Sequence, residues 1–352
     1  MAYTTIDNPE LYFQTKLYTG TGSSLAVTLD GSENLQPDWL WIKNRGTTDE
    51  NVVHDSVRGV GKRLITDGTQ AEATTTNQVS SFDSDGFTVP GGSANTGASS
   101  NNYVAWNWKA GGSASSNSNG SITSSVSAST TAGFSIVSWT GTGSSATVGH
   151  GLGKTPTHII IKNRSDSVTW HNYSSSVITA GASNKSFLAL NSSDALTSYS
   201  TNTTFTSVSS TTFGVGTENG INGSSDNMIA YCFADVKGYS KFGSYVGNGS
   251  SDGVFCFTGM KPSFVMIKRT DSSNEWLMFD NKRSDINVVD ELLRANNSSA
   301  ELTTDDYLDF TAQGFKIRRS APDCNASGGS YIYMAFAENP FVTSTGVPAC
   351  AR

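Results

Sequence analysis

One pattern runs along the chain three times. Tyr18-Thr19-Gly20-Thr21-Gly22 returns as Trp139-Thr140-Gly141-Thr142-Gly143 and again as Tyr245-Val246-Gly247-Asn248-Gly249. Each copy continues into a proline-led apolar run that ends in lysine: Pro37 to Lys43, Pro156 to Lys162, Pro262 to Lys268. Each closes on an aromatic-rich run around Ala105, Ala230 or Ala335, roughly 90 residues after its opening aromatic. A period of that length is far above that of solenoid repeats, and it leaves room for one hydrophobic core per copy.

The strand period of two assigns the side chains of these runs to faces. Leu40 and Ile42, Ile159 and Ile161, and Val265 and Ile267 form a constant aliphatic face, as packing against a second sheet requires. The opposite face varies: Trp39 and Trp41, then His158 and Ile160, then Phe264 and Met266. That face also needs a cover, from a loop, a neighbouring copy or another subunit. The closing runs divide likewise, with Val104, Trp106 and Trp108 on a large face and Tyr103, Ala105 and Asn107 on a smaller one. Helical periodicity is confined to a weak candidate at 286–294. Short strands and glycine turns predict an all-β protein of three tandem antiparallel β-sandwich domains, jelly-roll-like in topology.

The expected divisions are an N-terminal docking arm at 1–13, repeat 1 at 14–110, repeat 2 at 133–237, repeat 3 at 238–340 and a C-terminal tail at 341–352. Residues 111–132, almost wholly Gly, Ser, Asn and Thr, read as a flexible linker. Charged residues make up 15% of the chain and the net charge is −7, which argues against nucleic-acid binding through phosphates. No apolar stretch is long enough for a membrane span, and the first residues lack the pattern of a secretory signal peptide. Cys232, Cys256, Cys324 and Cys350 do not recur with the repeats, so they are expected as free thiols.

Few residues suggest chemistry. His54, His150, His158 and His171 share neither metal-ligand spacing nor a repeat position, so no metal or cofactor is expected. Asp83-Ser84-Asp85-Gly86 lacks the closing glutamate of a calcium loop and reads as a turn. Asp55 with Arg58 and Asp280 with Arg283 occupy one repeat position, where block two has Ser174 and Val177. Such a pair binds a sugar hydroxyl or carboxylate, or braces a loop; recurrence favours bracing. Trp170 and Trp276 also share a position, held by Asn51 in block one. With Trp41 they are the candidates for stacking on a sugar ring, core packing being the default. The ligand-binding candidates are therefore Trp41, Trp170, Trp276, Asp55, Arg58, Asp280 and Arg283. Carboxylates such as Glu301, Asp305 and Asp306 form no recognisable catalytic pair, so no enzyme is expected.

The opening motif, then Gln36 to Arg45, Asp55-Ser56-Val57-Arg58-Gly59, Ser81 to Phe87 and Tyr103 to Gly111 follow in that order. Together with Met1 to Ile6 and Phe13 to Tyr18, this set resembles the repeat domain of tail-associated virion proteins of marine bacteriophages, especially short-tailed phages. The resemblance covers block one, most of block three and the strand skeleton of block two. It implies a concanavalin-like or jelly-roll sandwich in a virion assembled in the host cytoplasm, with a place in the tail or its fibres. It carries no catalytic residues. The functional expectation is a structural or adhesive virion protein whose modules attach to other virion proteins, to host cell-surface glycan, or to both, as a homo-oligomer with a trimer favoured. The alternatives are a tailspike-type polysaccharide-degrading enzyme and a capsid or neck decoration protein.

Overall fold

The structure, a computed structural model, describes residues 2–350. The fold is all-β and every sheet is antiparallel, with helix among the described residues limited to Pro9–Leu11 and Asn219–Asn222. In each repeat the proline-led run and the closing run become adjacent strands of a larger sheet. Trp39–Asn44 lies beside Asn102–Trp108, His158–Asn163 beside Asn227–Phe233, and Met260–Arg269 beside Ser330–Pro340. The opening strand of the repeat flanks the closing one, and two or three further strands extend the other side. A three-stranded sheet faces each larger sheet, built in repeat 1 from Leu25–Val27, Gly86–Val89 and Ser81–Asp83.

The aliphatic faces enter the space between the paired sheets. Leu40, Ile42 and Ala105 pack with Val27, Phe87 and Val89. Ile159, Ile161 and Ala230 pack with Val148, Phe213 and Val215. Val265, Ile267 and Ala335 pack with Cys256, Phe315 and Ile317. The opening glycines permit the chain crossing that closes each pair: a Cβ on Gly20, Gly141 or Gly247 would lie 2.3, 2.0 or 2.3 Å from a backbone carbonyl oxygen.

The opposite faces meet one another. Trp39, Trp41, Trp106 and Trp108 of repeat 1, Ile160, Trp170, Tyr231 and Phe233 of repeat 2, and Phe264, Met266, Trp276 and Phe336 of repeat 3 form one continuous apolar cluster. Trp39 stacks on Tyr231 with ring centroids 4.6 Å apart, and Trp106 meets Phe264 edge-on at 5.8 Å. The repeats are thus not strung in series; they close around a shared core. A strand with two apolar faces must bury both, and here each repeat covers the second face of the others.

Three expectations are corrected. Residues 111–132 are not a flexible linker, because Ser115–Asn117 and Ser124–Ser129 add two strands to the larger sheet of repeat 2. Their small side chains suit a partly exposed edge, and Val126 supplies the apolar anchor to the repeat 2 core. The arm at 1–13 does not await a partner. Ile6 and Phe13 are in the shared core, Thr4 Oγ1 donates to Lys237 O at 2.8 Å, and Phe13 begins a strand. Third, 286–294 is not helical; Val289 and Leu292 form isolated bridges to Leu308 and Leu302. In the tail, Ala349 N–H donates to Phe341 O at 2.9 Å; Met1, Ala351 and Arg352, at the ends of the expected arm and tail, lie outside the described residues.

Candidate functional site

The chemically distinctive residues gather at three junctions, each made by one repeat gripping a loop of another. The lysine that ends each proline-led run is buried there. Lys43 Nζ donates to Thr47 O and Asp49 O of its own loop, and to Ser298 O of repeat 3 at 2.8 Å. Lys162 Nζ reaches Thr69 O of repeat 1 at 3.0 Å, and Lys268 Nζ reaches Ser193 O of repeat 2 at 2.8 Å. The order is cyclic: 1 grips 3, 2 grips 1, 3 grips 2. Burial lowers all three lysines to about 8, against the pull of nearby carboxylates.

The shared tryptophan position follows the same cycle. Trp170 Nε1 donates to Ile65 O and Trp276 Nε1 to Ala189 O, both at 2.8 Å. Asn51, which stands there in repeat 1, donates through Nδ2 to Arg294 O and Asn297 O of repeat 3. Backbone bonds recur as well, with Glu72 N–H donating to Arg164 O, Glu301 N–H to Arg45 O and Leu196 N–H to Thr270 O, each at 2.8 Å.

The Asp-x-x-Arg pairs sit inside two of the three junctions. Arg58 Nε is paired with Asp55 Oδ2, both side chains fully buried, and Tyr231 Oη of repeat 2 donates to the same oxygen at 2.7 Å. Arg58 also reaches Glu72, which Arg164 of repeat 2 holds at 2.8 and 3.0 Å. In repeat 3, Arg283 Nε donates to Asp280 Oδ2 at 2.6 Å, and Trp106 Nε1 of repeat 1 donates to that oxygen at 3.0 Å. Glu301 joins Arg283 to Arg45 of repeat 1. The junction of repeat 3 on repeat 2 has neither charged network, because Ser174 and Val177 stand at the Asp and Arg positions and Leu196 at that of the glutamate.

The seven ligand-binding candidates therefore have internal roles, as the favoured bracing and core-packing readings had it. Trp41, Trp170 and Trp276 are 0 or 1% exposed, and both Asp-Arg pairs are buried, so none presents a surface to a sugar. Trp41 lies in the shared core, while the other six hold junctions together. What the sequence reading missed was the clamp residues Lys43, Lys162, Lys268, Glu72, Glu301, Arg45 and Arg164. A lysine ending a buried strand in all three copies of a charge-poor chain was the available signal.

Elsewhere, Cys232, Cys256 and Cys324 are buried free thiols and Cys350 is an exposed one. His54 is pushed down to about 4, and His158 and His171 to about 3, by burial. No group of three or more His, Cys, Asp and Glu among the described residues is placed to hold a metal. The acidic concavity is a cleft of about 390 Å³ lined by Asp285, Ile286, Asp290, Glu291 and Asp306 among others. There partial burial and the adjoining Asp290 push Glu291 up to about 7.

These features describe an all-β repeat protein whose polar and aromatic groups mainly join its own parts. The chain belongs to the family described as Domain of unknown function (DUF7483), whose model matches residues 8–340 and so takes in all three repeats as one stretch. No curated protein is similar to it in sequence.

Proposed function

We propose that this is a structural protein of a bacteriophage virion, a tail fibre or tail-associated adhesin that attaches to other virion proteins, to host surface glycan, or to both. The carrying observation is how the chain uses its reactive groups: the recurrent aspartates, arginines, lysines and tryptophans are buried at junctions between repeats. A molecule built that way is suited to holding a shape. The resemblance of its ordered motifs to phage tail-associated repeats supplies the context. The large outer-face aromatics are covered within one chain, so burying them requires no second subunit.

Immunogold labelling of phage particles with antibody against the chain tests the reading. Label on the tail is expected; particles carrying no label would overturn it, and label on the capsid or neck would move the protein to a decoration role.

A second reading, a polysaccharide-degrading enzyme, is favoured by one feature, the cleft in which Glu291 sits among other carboxylates. Glycoside hydrolysis uses a protonated and an ionised carboxyl across the scissile bond. Incubation with host envelope polysaccharide decides: shortened polymer, lost in Glu291→Gln, would replace adhesion by hydrolysis.

A further inference from the structure

In the smaller sheet of repeat 2, Ala146–Gly149 is an edge strand, and the preceding connector lies along it. Thr147 N–H donates to Ser121 Oγ at 2.9 Å, and Thr147 O accepts from Ile122 N–H at 3.0 Å. Ile122 forms a parallel bridge to Val148. The edge is thereby covered.

Repeat 3 has the same edge without the cover. Phe213 opposite Val148 corresponds to Phe315 opposite Cys256, so Phe255 stands where Thr147 stands. Ile317 N–H donates to Val254 O and Thr258 N–H to Gln313 O. The alternation of an antiparallel ladder then turns the N–H and C=O of Phe255 and Phe257 away from the neighbouring strand. The chain between repeats 2 and 3 turns at 235–239 and enters Ser240–Val246 directly, leaving no segment to strap this edge. Among the described residues, none pairs with it.

The side chains differ in a telling way. Phe255 and Phe257 are 46 and 58% exposed, where repeat 2 has Thr147 and Gly149 and repeat 1 has Ala26 and Thr28. The nearby charges cancel, since Lys316 Nζ pairs with Asp252 Oδ1 at 2.7 Å. The strip is apolar, unpaired and without net charge, which favours an uncharged occupant. An open, aromatic strand edge is a template for strand addition.

We propose that strand Phe255–Phe257 receives an extended segment of a partner protein, uncharged, rich in Ser and Thr and carrying an aliphatic side chain, as residues 120–122 are received in repeat 2. The segment's N–H donates to Phe255 O, a hydroxyl accepts from Phe255 N–H, and the aliphatic group covers Phe255 and Phe257. The inference rests on the edge geometry alone and stands apart from the virion reading.

The test titrates the full chain with a peptide of residues 117–126 and follows hydrogen exchange at the Phe255 and Phe257 amides. Slowed exchange is expected at both. Phe255→Thr combined with Phe257→Gly, the residues repeat 2 itself carries, keeps the fold by circular dichroism and weakens binding about tenfold or more. Ile122→Asp within the peptide does the same. Unchanged exchange at millimolar peptide, or protection that survives the phenylalanine variant, would overturn the proposal. So would a chain already dimeric with both amides protected, which would put a second copy there.

Discussion

A buried carboxylate needs its partners more than it stabilises the fold. Asp55 accepts from Arg58 and from Tyr231 of the next repeat, with no exposure of either charged side chain. Asp55→Ala leaves the buried Arg58 with only the longer contact to Glu72 at 3.3 Å and should lower stability by about 3–5 kcal/mol in denaturant titration. Replacing both, as Asp55→Leu with Arg58→Met, should cost clearly less, because no stranded charge remains. The histidines give a pH signature. His54, His158 and His171 are held at about 4, 3 and 3 by burial, below an unfolded value near 6.5. Between those limits the unfolded chain binds more protons, so stability is full above pH 6.5 and falls as pH drops, by about 1.4 kcal/mol per pH unit for each histidine. Melting temperature should therefore decline from pH 6.5 to 5, before most carboxylates titrate, and a flat profile there would contradict the neutral, buried assignment.

At the scale of strands, the two-residue period told where each side chain of the paired central strands would point, because both faces are dry and any slip would exchange them. Leu40 and Ile42 went to the inter-sheet core, and Trp39 and Trp41 to the opposite side. What covers that side was not legible, since burial on a partner element leaves the same pattern as burial on a subunit. Residues 111–132 were misread for a related reason: low hydrophobicity describes a surface strand as well as a tether. The amides of Ser124–Ser129 should accordingly exchange slowly, and limited proteolysis should spare this stretch; a rapid first cut there would restore the tether. The candidate site was legible in identity and in the bracing role that recurrence favoured, but not in its reach from one repeat to another. Asp55 and Asp280 stood out by recurrence, but their accessibility depends on Tyr231 and Trp106 respectively, which lie far away in sequence.

At the scale of the molecule, the shared core ties the three sheet pairs into one cooperative body. Calorimetry should give a single unfolding transition, whereas three resolved transitions would mean independent units. Trp39→Ala should cost about 3–5 kcal/mol, and the loss should appear in that one transition, because its ring contacts Trp108 within repeat 1 as well as Phe134 and Tyr231 of repeat 2. A chain ending at residue 237 would strip Phe264, Met266, Trp276 and Phe336 from the cluster, and should bind a hydrophobic dye or aggregate.

The cyclic grip has a bearing on how such a gene changes. Lys43 of the first copy is anchored by Ser298 of the third, so during synthesis the first copy waits for the third before its clamp is complete. Duplicating or deleting one copy would leave a clamp without its carbonyl and a tryptophan-rich wall facing water. The cyclic closure therefore ties the fold to three copies, and substitutions at the exposed rims disturb it less than any change in that count.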